Sequence, residues 1–259
     1  MVIVADYVDL AGTLSERTSS NRSREAILPR GTRMVVQVNP YGIVRRVLIA
    51  AITGALPEES RKDAIRVLTD ALRAPDEDLR GLAIIGLCEV GGDRETLLPP
   101  LVRALRDPSE TVRRRAARSL GDLAPDVVDA VPHLTAALGD PEKCVRLEVV
   151  HTLGRIGVEA EAAIPSLVPL LAEKDCRICS VVGLTLRRIG SASVPYLLAL
   201  LVDSDPHLRE RAVILLGRIG SGSSEWSDEV IASLLESCSD PEIKVRAAAR
   251  ESLERLNAA

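Results

Sequence analysis

The sequence predicts an all-α fold, a right-handed α-solenoid of about seven helical-hairpin repeats, and three observations carry the prediction. The stretch "DPSETVRRRAARSLGDL" (107–123) recurs as "DPEKCVRLEVVHTLGRI" (140–156), "DPHLRERAVILLGRI" (205–219) and "DPEIKVRAAARESLERL" (240–256). The arginine after the apolar residue falls at Arg45, Arg80, Arg113, Arg146, Arg209 and Arg246, with Cys179 in the matching place, so successive separations are 35, 33, 33, 33, 30 and 37. A second series, Pro99, Pro132, Pro165 and Pro195, recurs at 33, 33 and 30 and shares the same shortening. A fixed period of this length is the signature of stacked repeats.

Each unit reads as two helices. The first opens near a proline, as in "VPHLTAAL", "IPSLVPLL" and "VPYLLALL", because the first helical position needs no amide donor. An Asp-Pro or similar turn then breaks the chain. In the second helix Val112, Ala116, Leu120 and Leu123 recur at helical spacing and give one apolar face. Glycine marks its end, as in "LGRIG". A lone pair of this size cannot bury that face, so neighbouring units must stack and share a core.

Composition agrees. The 259 residues are 46% hydrophobic with no Phe, one Trp and three Tyr, leaving Leu, Ala, Val and Ile to fill the core. Such chains suit close helix packing. The net charge of −4 opposes a dedicated nucleic-acid binder, whose domain carries a positive excess. Five scattered cysteines do not form a disulfide framework. The N-terminal "MVIVADYVDL" lacks a basic leader and is interrupted by Asp6 and Asp9. The expectation is a cytoplasmic protein with no membrane segment.

The unit, roughly D-P-x-x-x-V-R-x-x-A-A-x-x-L-G-x-I-G followed by A-V-P-x-L-x-x-A-L, resembles HEAT repeats, and most closely the short bacterial type of phycobilisome-lyase-like proteins. The resemblance covers residues 39–259 and leaves 1–38 outside. It implies an armadillo/HEAT-like superhelix acting as a non-enzymatic, protein-binding scaffold or adaptor. It also implies a ladder between the acidic turn residue and the arginine six positions later. Here those pairs are Asp107 with Arg113, Asp140 with Arg146, Asp203 with Arg209, and Asp240 with Arg246. Asn39 with Arg45 is a neutral version, Ala74 weakens the rung at Arg80, and the rung at Glu173 is broken by Cys179.

In such solenoids the second helix lines the inner surface. Counting the ladder residue as zero, offsets three, seven and ten are core, and offsets one, two, five and nine form the wall. The first row is Arg46, Val47, Ala50 and Gly54. Residues singled out for partner binding are Leu82, Ile85, Arg114, Arg115, Arg118, His151, Arg155, Leu184, Arg188, Arg211, Ile214 and Arg218. The wall positions together hold nine arginines against five acids, a basic surface with exposed aliphatics on an acidic molecule. That mixture suits a protein or peptide partner, and an acidic one in particular.

Other chemistry is poorly served. His133, His151 and His207 occupy three different offsets, and no nucleophile elbow, phosphate loop or metal-binding helix motif occurs. "CRIC", Cys176 to Cys179, has no second cysteine pair for zinc and no βαβ context for redox work. It reads as a degenerate repeat. Neither a cofactor nor a metal is expected. Nucleic acid on a basic concave face is the main alternative, opposed by the interrupting acids and by Tyr7, Tyr41, Tyr196 and Trp226 lying off the wall. A bilin-lyase-like chromophore chaperone is a second alternative that rests on the resemblance alone.

Residues 1–38 do not follow the period and are expected to form an N-terminal cap or a docking arm. "SERTSSNRSREA" reads as a polar linker. "TRMVVQV", 32–38, has strand composition, with "VIVADYV" as its available partner.

Overall fold

The computed structural model describes residues 24–27, 33–36, 40–124, 127–173, 175–220 and 228–257. It divides into two compact units, Met1–Ser119 and Leu120–Ala259. The first holds strands β1 (Arg24–Ile27) and β2 (Arg33–Val36) and helices α1 (Pro40–Ile52), α2 (Arg61–Ala71), α3 (Glu77–Val90) and α4 (Arg94–Ala104). Helix α5 (Glu110–Asp122) spans the division. The second holds α6 (Val131–Ala137), α7 (Lys143–Ile156), α8 (Ile164–Leu167), α9 (Cys176–Ile189), α10 (Val194–Leu200), α11 (Pro206–Gly220), α12 (Asp228–Ser237) and α13 (Ile243–Asn257).

Odd-numbered helices to α7, then α9, α11 and α13, are the second helices of the repeats, and each packs on its neighbours within a unit: α1 on α3, α7 on α9, α11 on α13. Even-numbered helices are the first members of the pairs. Among the described residues the first repeat has only its second helix, α1. Local signals fix the ends. The Asp76 side chain caps α3 by accepting from Leu79 N at 2.9 Å, and Asp175 accepts from Arg177 N at 2.8 Å at the start of α9. Gly157 and Gly190 stop α7 and α9 with φ of 76° and 87°, a conformation that side chains resist.

Strand β2 lies within 32–38, but its antiparallel partner is β1, with Arg24 opposite Val36 and Ile27 opposite Arg33. The partner thus comes from the end of the stretch read as a polar linker, separated from β2 by five residues of sequence. The anticipated "VIVADYV" lies outside the described residues.

Leucine recurs at one core offset of the second helices in each unit. Leu87, Leu120, Leu153, Leu186 and Leu216, all at offset seven, are 0% exposed. The buried set is wider than offsets three, seven and ten, because each second helix also touches its neighbours. Offset six is buried at Ser119, Thr152, Thr185 and Ser252. The Thr185 hydroxyl donates to Val150 O at 3.0 Å, and the Ser252 hydroxyl to Val213 O at 3.1 Å. Each hydroxyl thus supplies a hydrogen bond inside the seam between repeats. Glycine at offset eight makes the approach possible: a Cβ on Gly154 would stand 2.6 Å from Thr185 Oγ1, and one on Gly217 would stand 2.5 Å from Ser252 Oγ and 3.0 Å from its Cα. Where offset six is Leu215, glycine moves to offset four, Gly183, whose Cβ would meet Leu215 Cδ2 at 3.0 Å.

The first repeat is shifted relative to the sequence reading. Positive-φ glycines stand eleven residues after Arg80, Arg146 and Cys179, at Gly91, Gly157 and Gly190, whereas Gly54 stands nine after Arg45. Arg45 is exposed and takes no rung of the ladder among the described residues. Val47 and Ala50, read as wall, are buried at 1% and 7% exposure.

The ladder itself is offset by one repeat from the expected pairing. Arg80 forks onto the Asp107 carboxylate at 2.7 and 2.8 Å while its Nη1 donates to Ala74 O and Pro75 O, both at 2.9 Å. Arg209 repeats this with Asp240 at 2.8 and 3.0 Å and with Asp203 O at 2.9 Å. Arg146 joins Asp140 O at 2.9 Å to the Glu173 carboxylate at 3.2 Å. Arg113 and Arg246 likewise donate to the backbone of Asp107 and Asp240, at 2.9 and 2.7 Å. What an arginine shares with the acid six residues back is thus a carbonyl. The carboxylate belongs to the preceding repeat's arginine. Ala74 therefore does not weaken the rung at Arg80, because its carbonyl still accepts, and Glu173 still serves Arg146.

Both side chains of the Arg80–Asp107 pair are only 9% exposed, so Asp107→Ala strands a buried guanidinium. The expected cost in urea unfolding is roughly 3–5 kcal/mol. The Asp240 carboxyl is held below the usual range chiefly by the Arg209 hydrogen bond, against burial. A depressed folded-state value contributes stability that is complete above the ordinary carboxylate range and is lost as pH falls through the depressed value. Asp240→Asn should therefore be less stable than wild type at neutral pH, and should lose less stability on acidification. Gly217→Ala should destabilise by about 1–3 kcal/mol in the same assay, since the Ser252 backbone as well as its hydroxyl must move.

Candidate functional site

The exposed side of the second helices is a stripe of residues four apart. In the second unit it runs Leu147, His151, Arg155 on α7, then Ser180, Leu184, Arg188 on α9, then Glu210, Ile214, Arg218 on α11, and Ala247, Glu251, Arg255 on α13. These are offsets one, five and nine. All four arginines of the last column are exposed, and they stand near helix C-termini where a cation complements the helix dipole. Leu184 is 45% exposed beside them. Ile214 and Leu147 are half-buried.

In the first unit the stripe carries Arg114 and Arg118, both exposed, on α5. Leu82 and Ile85 are half-buried on α3. Arg115 differs from its neighbours: a Cβ on Gly81 would stand 1.8 Å from its Nη1. The guanidinium lies over the glycine, in the space a side chain would occupy.

Offset two is therefore not a wall position; it reaches back to the preceding repeat. Arg211 confirms the pattern, since its Nη1 donates to Leu171 O. That contact sits where the ladder is interrupted. Cys179 replaces the arginine, and its thiol donates to Glu173 O at 3.0 Å and to Leu171 O at 3.5 Å. Burial pushes the Cys179 thiol up, with the Arg211 charge opposing, which keeps the sulfur a neutral donor. Lys143 also pairs with Asp175 next to this turn. Cys179 and Arg211 keep the carbonyls of this turn bonded, while the Asp203 carboxylate of the next turn accepts from Asp205 N at 2.8 Å rather than from an arginine.

The remaining arginines divide by use. Arg155 pairs with Asp122 at 2.6 Å and Arg255 with Glu251 at 2.5 Å, all four side chains largely exposed. Arg114, Arg118 and Arg188 engage no acid among the described residues. Arg187 adds a further exposed cation at the end of α9, at offset eight, where three of the other repeats carry a seam glycine. Its departure from that glycine was the signal available in the sequence. His133, His151 and His207 are exposed on α6, α7 and α11, and no group of three or more His, Cys, Asp or Glu is set to hold a metal among the described residues. Tyr41 is tied to the Asp76 carboxylate, which pushes its hydroxyl up to about 12. Among the described residues no helix is long and apolar enough to cross a membrane.

A family model of HEAT repeats matches residues 65–142, 98–180 and 164–254, overlapping spans that tile most of the array. The chain belongs to the HEAT-repeat family. Among solved structures it is similar over 84% of its length to 28% of a Kap121p mutant, with a TM-score of 0.67 and 11% identity. It is similar over 85% of its length to 98% of an archaeal HEAT-like repeats protein from Thermococcus onnurineus NA1, with a TM-score of 0.50 and 17% identity. An engineered protein gives a TM-score of 0.51 at 20% identity, and the chain spans 65% of that protein's length. At such identities the likeness is one of fold. No curated protein matches the sequence. The helix pairs are HEAT repeats, and the ladder and hydroxyl–glycine seam are how this chain builds them.

The two classes of arginine should separate in a stability assay. Arg211→Ala is expected to cost about 1 kcal/mol or more in urea unfolding, because Leu171 O loses a charged donor. Arg188→Ala should fall within about 0.5 kcal/mol of wild type.

Proposed function

We propose that the chain is a non-enzymatic protein-binding scaffold or adaptor that seats a protein or peptide segment on the exposed stripe of its second helices. One observation carries the reading: Arg114, Arg118 and Arg188 are exposed on the stripe and engage no acid among the described residues, while Arg155 and Arg255 on the same stripe are paired with Asp122 and Glu251. Stripe cations without an internal acid are available to an outside partner. Leu184 and Ile214 lie among the stripe's cations in the second unit and supply apolar contact, while the charges set orientation and speed encounter. An acidic segment with intermittent apolar residues fits that surface, and a reducing, cytoplasmic setting suits the free Cys88, Cys144, Cys179 and Cys238.

The nucleic-acid reading is less favoured. Arg155 and Arg255 are already matched by Asp122 and Glu251, and among the described residues no aromatic lies on the stripe for base stacking.

The test is affinity capture, followed by titration of each captured partner against Arg114→Glu/Arg118→Glu and Arg188→Glu variants. Arg115 is left intact because its guanidinium covers Gly81. Each variant should keep wild-type helicity and thermal unfolding, and weaken the partner by about tenfold or more, since 1.4 kcal/mol corresponds to a factor of ten. Unchanged affinity in both variants would remove the stripe as the binding surface. A steep loss of binding with salt to a nucleic-acid probe would favour the alternative.

A further inference from the structure

The junction between α9 and α11 departs from the other seams of the second unit in three places at once. The first is the ladder. Arg146 holds the Glu173 carboxylate and Arg209 holds that of Asp240, but Cys179 stands in the place whose arginine would hold Asp203. The second is the seam hydroxyl. Thr185 bonds to Val150 O and Ser252 to Val213 O, whereas α11 presents Leu215 at that offset. The third is the seam glycine at offset eight, Gly121, Gly154 and Gly217, which in α9 is the exposed Arg187. Leu215 against Gly183 supplies apolar contact instead. That contact keeps α9 close to α11 along a shorter stretch than α7 lies along α9, or α11 along α13. Arg211 crosses the junction to Leu171 O.

We infer that this junction is a joint, at which α10–α13 shift and open as one block separately from α6–α9. A ladder bond and a buried hydroxyl each fix register, because hydrogen bonds are directional. Apolar contact between packed helices tolerates small sliding. Where units touch only their neighbours, stability is a sum of unit and interface contributions, so a weakened interface becomes a boundary of cooperativity. On the α10–α13 side the devices are intact: Arg209 grips Asp240, and Gly217 admits Ser252. On the other side Arg146 grips Glu173, and Gly154 admits Thr185. The exposed stripe crosses the joint, with Leu184 and Arg188 before it and Ile214 and Arg218 after it, so the spacing of the stripe adjusts there. The inference is independent of what the stripe binds.

Hydrogen exchange of the full chain, read by mass spectrometry in urea below the global transition, tests the joint. Amides of α11 and α13 should exchange together, and about tenfold faster than those of α7 and α9, the equivalent of one missing charge-assisted hydrogen bond. Equal exchange in all four helices, or protection that falls stepwise from α9 through α11 to α13, overturns the inference. Two variants should move the boundary in opposite directions. Cys179→Arg, which restores the ladder residue opposite Asp203, should bring the two pairs of helices to the same exchange. Arg211→Ala, which removes the bond to Leu171 O, should widen their difference several-fold. A folded Cys179→Arg protein that keeps the wild-type difference overturns the joint; if that variant does not fold, an unchanged difference in Arg211→Ala does so.

Discussion

The structure depends on what an arginine guanidinium can do with two sides of its fork. One amino group closes the turn of its own repeat by capping carbonyls, and the other edge grips the acid of the next repeat's turn. Arg80 does both in the first unit and Arg209 in the second. A lysine, with one compact charge, could not reach both sets of acceptors in fixed geometry. Local turn shape and the placement of the following turn are thus set by the same side chain. The period of the sequence is visible because this dual requirement recurs with every turn.

Around that contact, the second helix distributes its faces by need. Offset seven fills the core with leucine, offsets four, six and eight form a narrow seam, and offsets one, five and nine remain with the solvent. The seam is narrow because glycine admits the neighbour, and it is directional because a buried hydroxyl finds a free carbonyl. At the fifth and sixth repeats both devices change together. Cys179 stands in for the arginine, Leu215 for the hydroxyl, and Arg211 reaches back to Leu171 O. The junction keeps its packing and replaces two directed contacts by apolar ones and a borrowed cation.

The period, the helix pairs and the leucine column were legible in the sequence because they rest on spacing. The direction of the ladder was not, since Asp107 sits equally six residues before Arg113 and one repeat after Arg80, and only geometry separates the two. Thr185 and Ser252 escaped notice because hydroxyls at helical positions ordinarily mark a solvent face. The first row was misplaced because "IVRRV" imitates "TVRRR", while Val47 and Ala50 are in fact buried. Arg115 and Arg211 looked like wall residues because alternate sides of a helix are easily confused at two-residue offsets. Leu184, Arg188, Arg114 and Arg118 stand exposed on the faces that the spacing assigned to them.

The seam and the stripe share no residue. Offsets that hold neighbouring helices together carry mainly glycine, hydroxyls and aliphatics, whereas offsets one, five and nine carry whatever the surface requires. Substitution on the stripe therefore leaves the stack untouched, and the exposed surface can change one repeat at a time. Arg115 and Arg211 are the exceptions, cations near the stripe whose loss the fold itself would register.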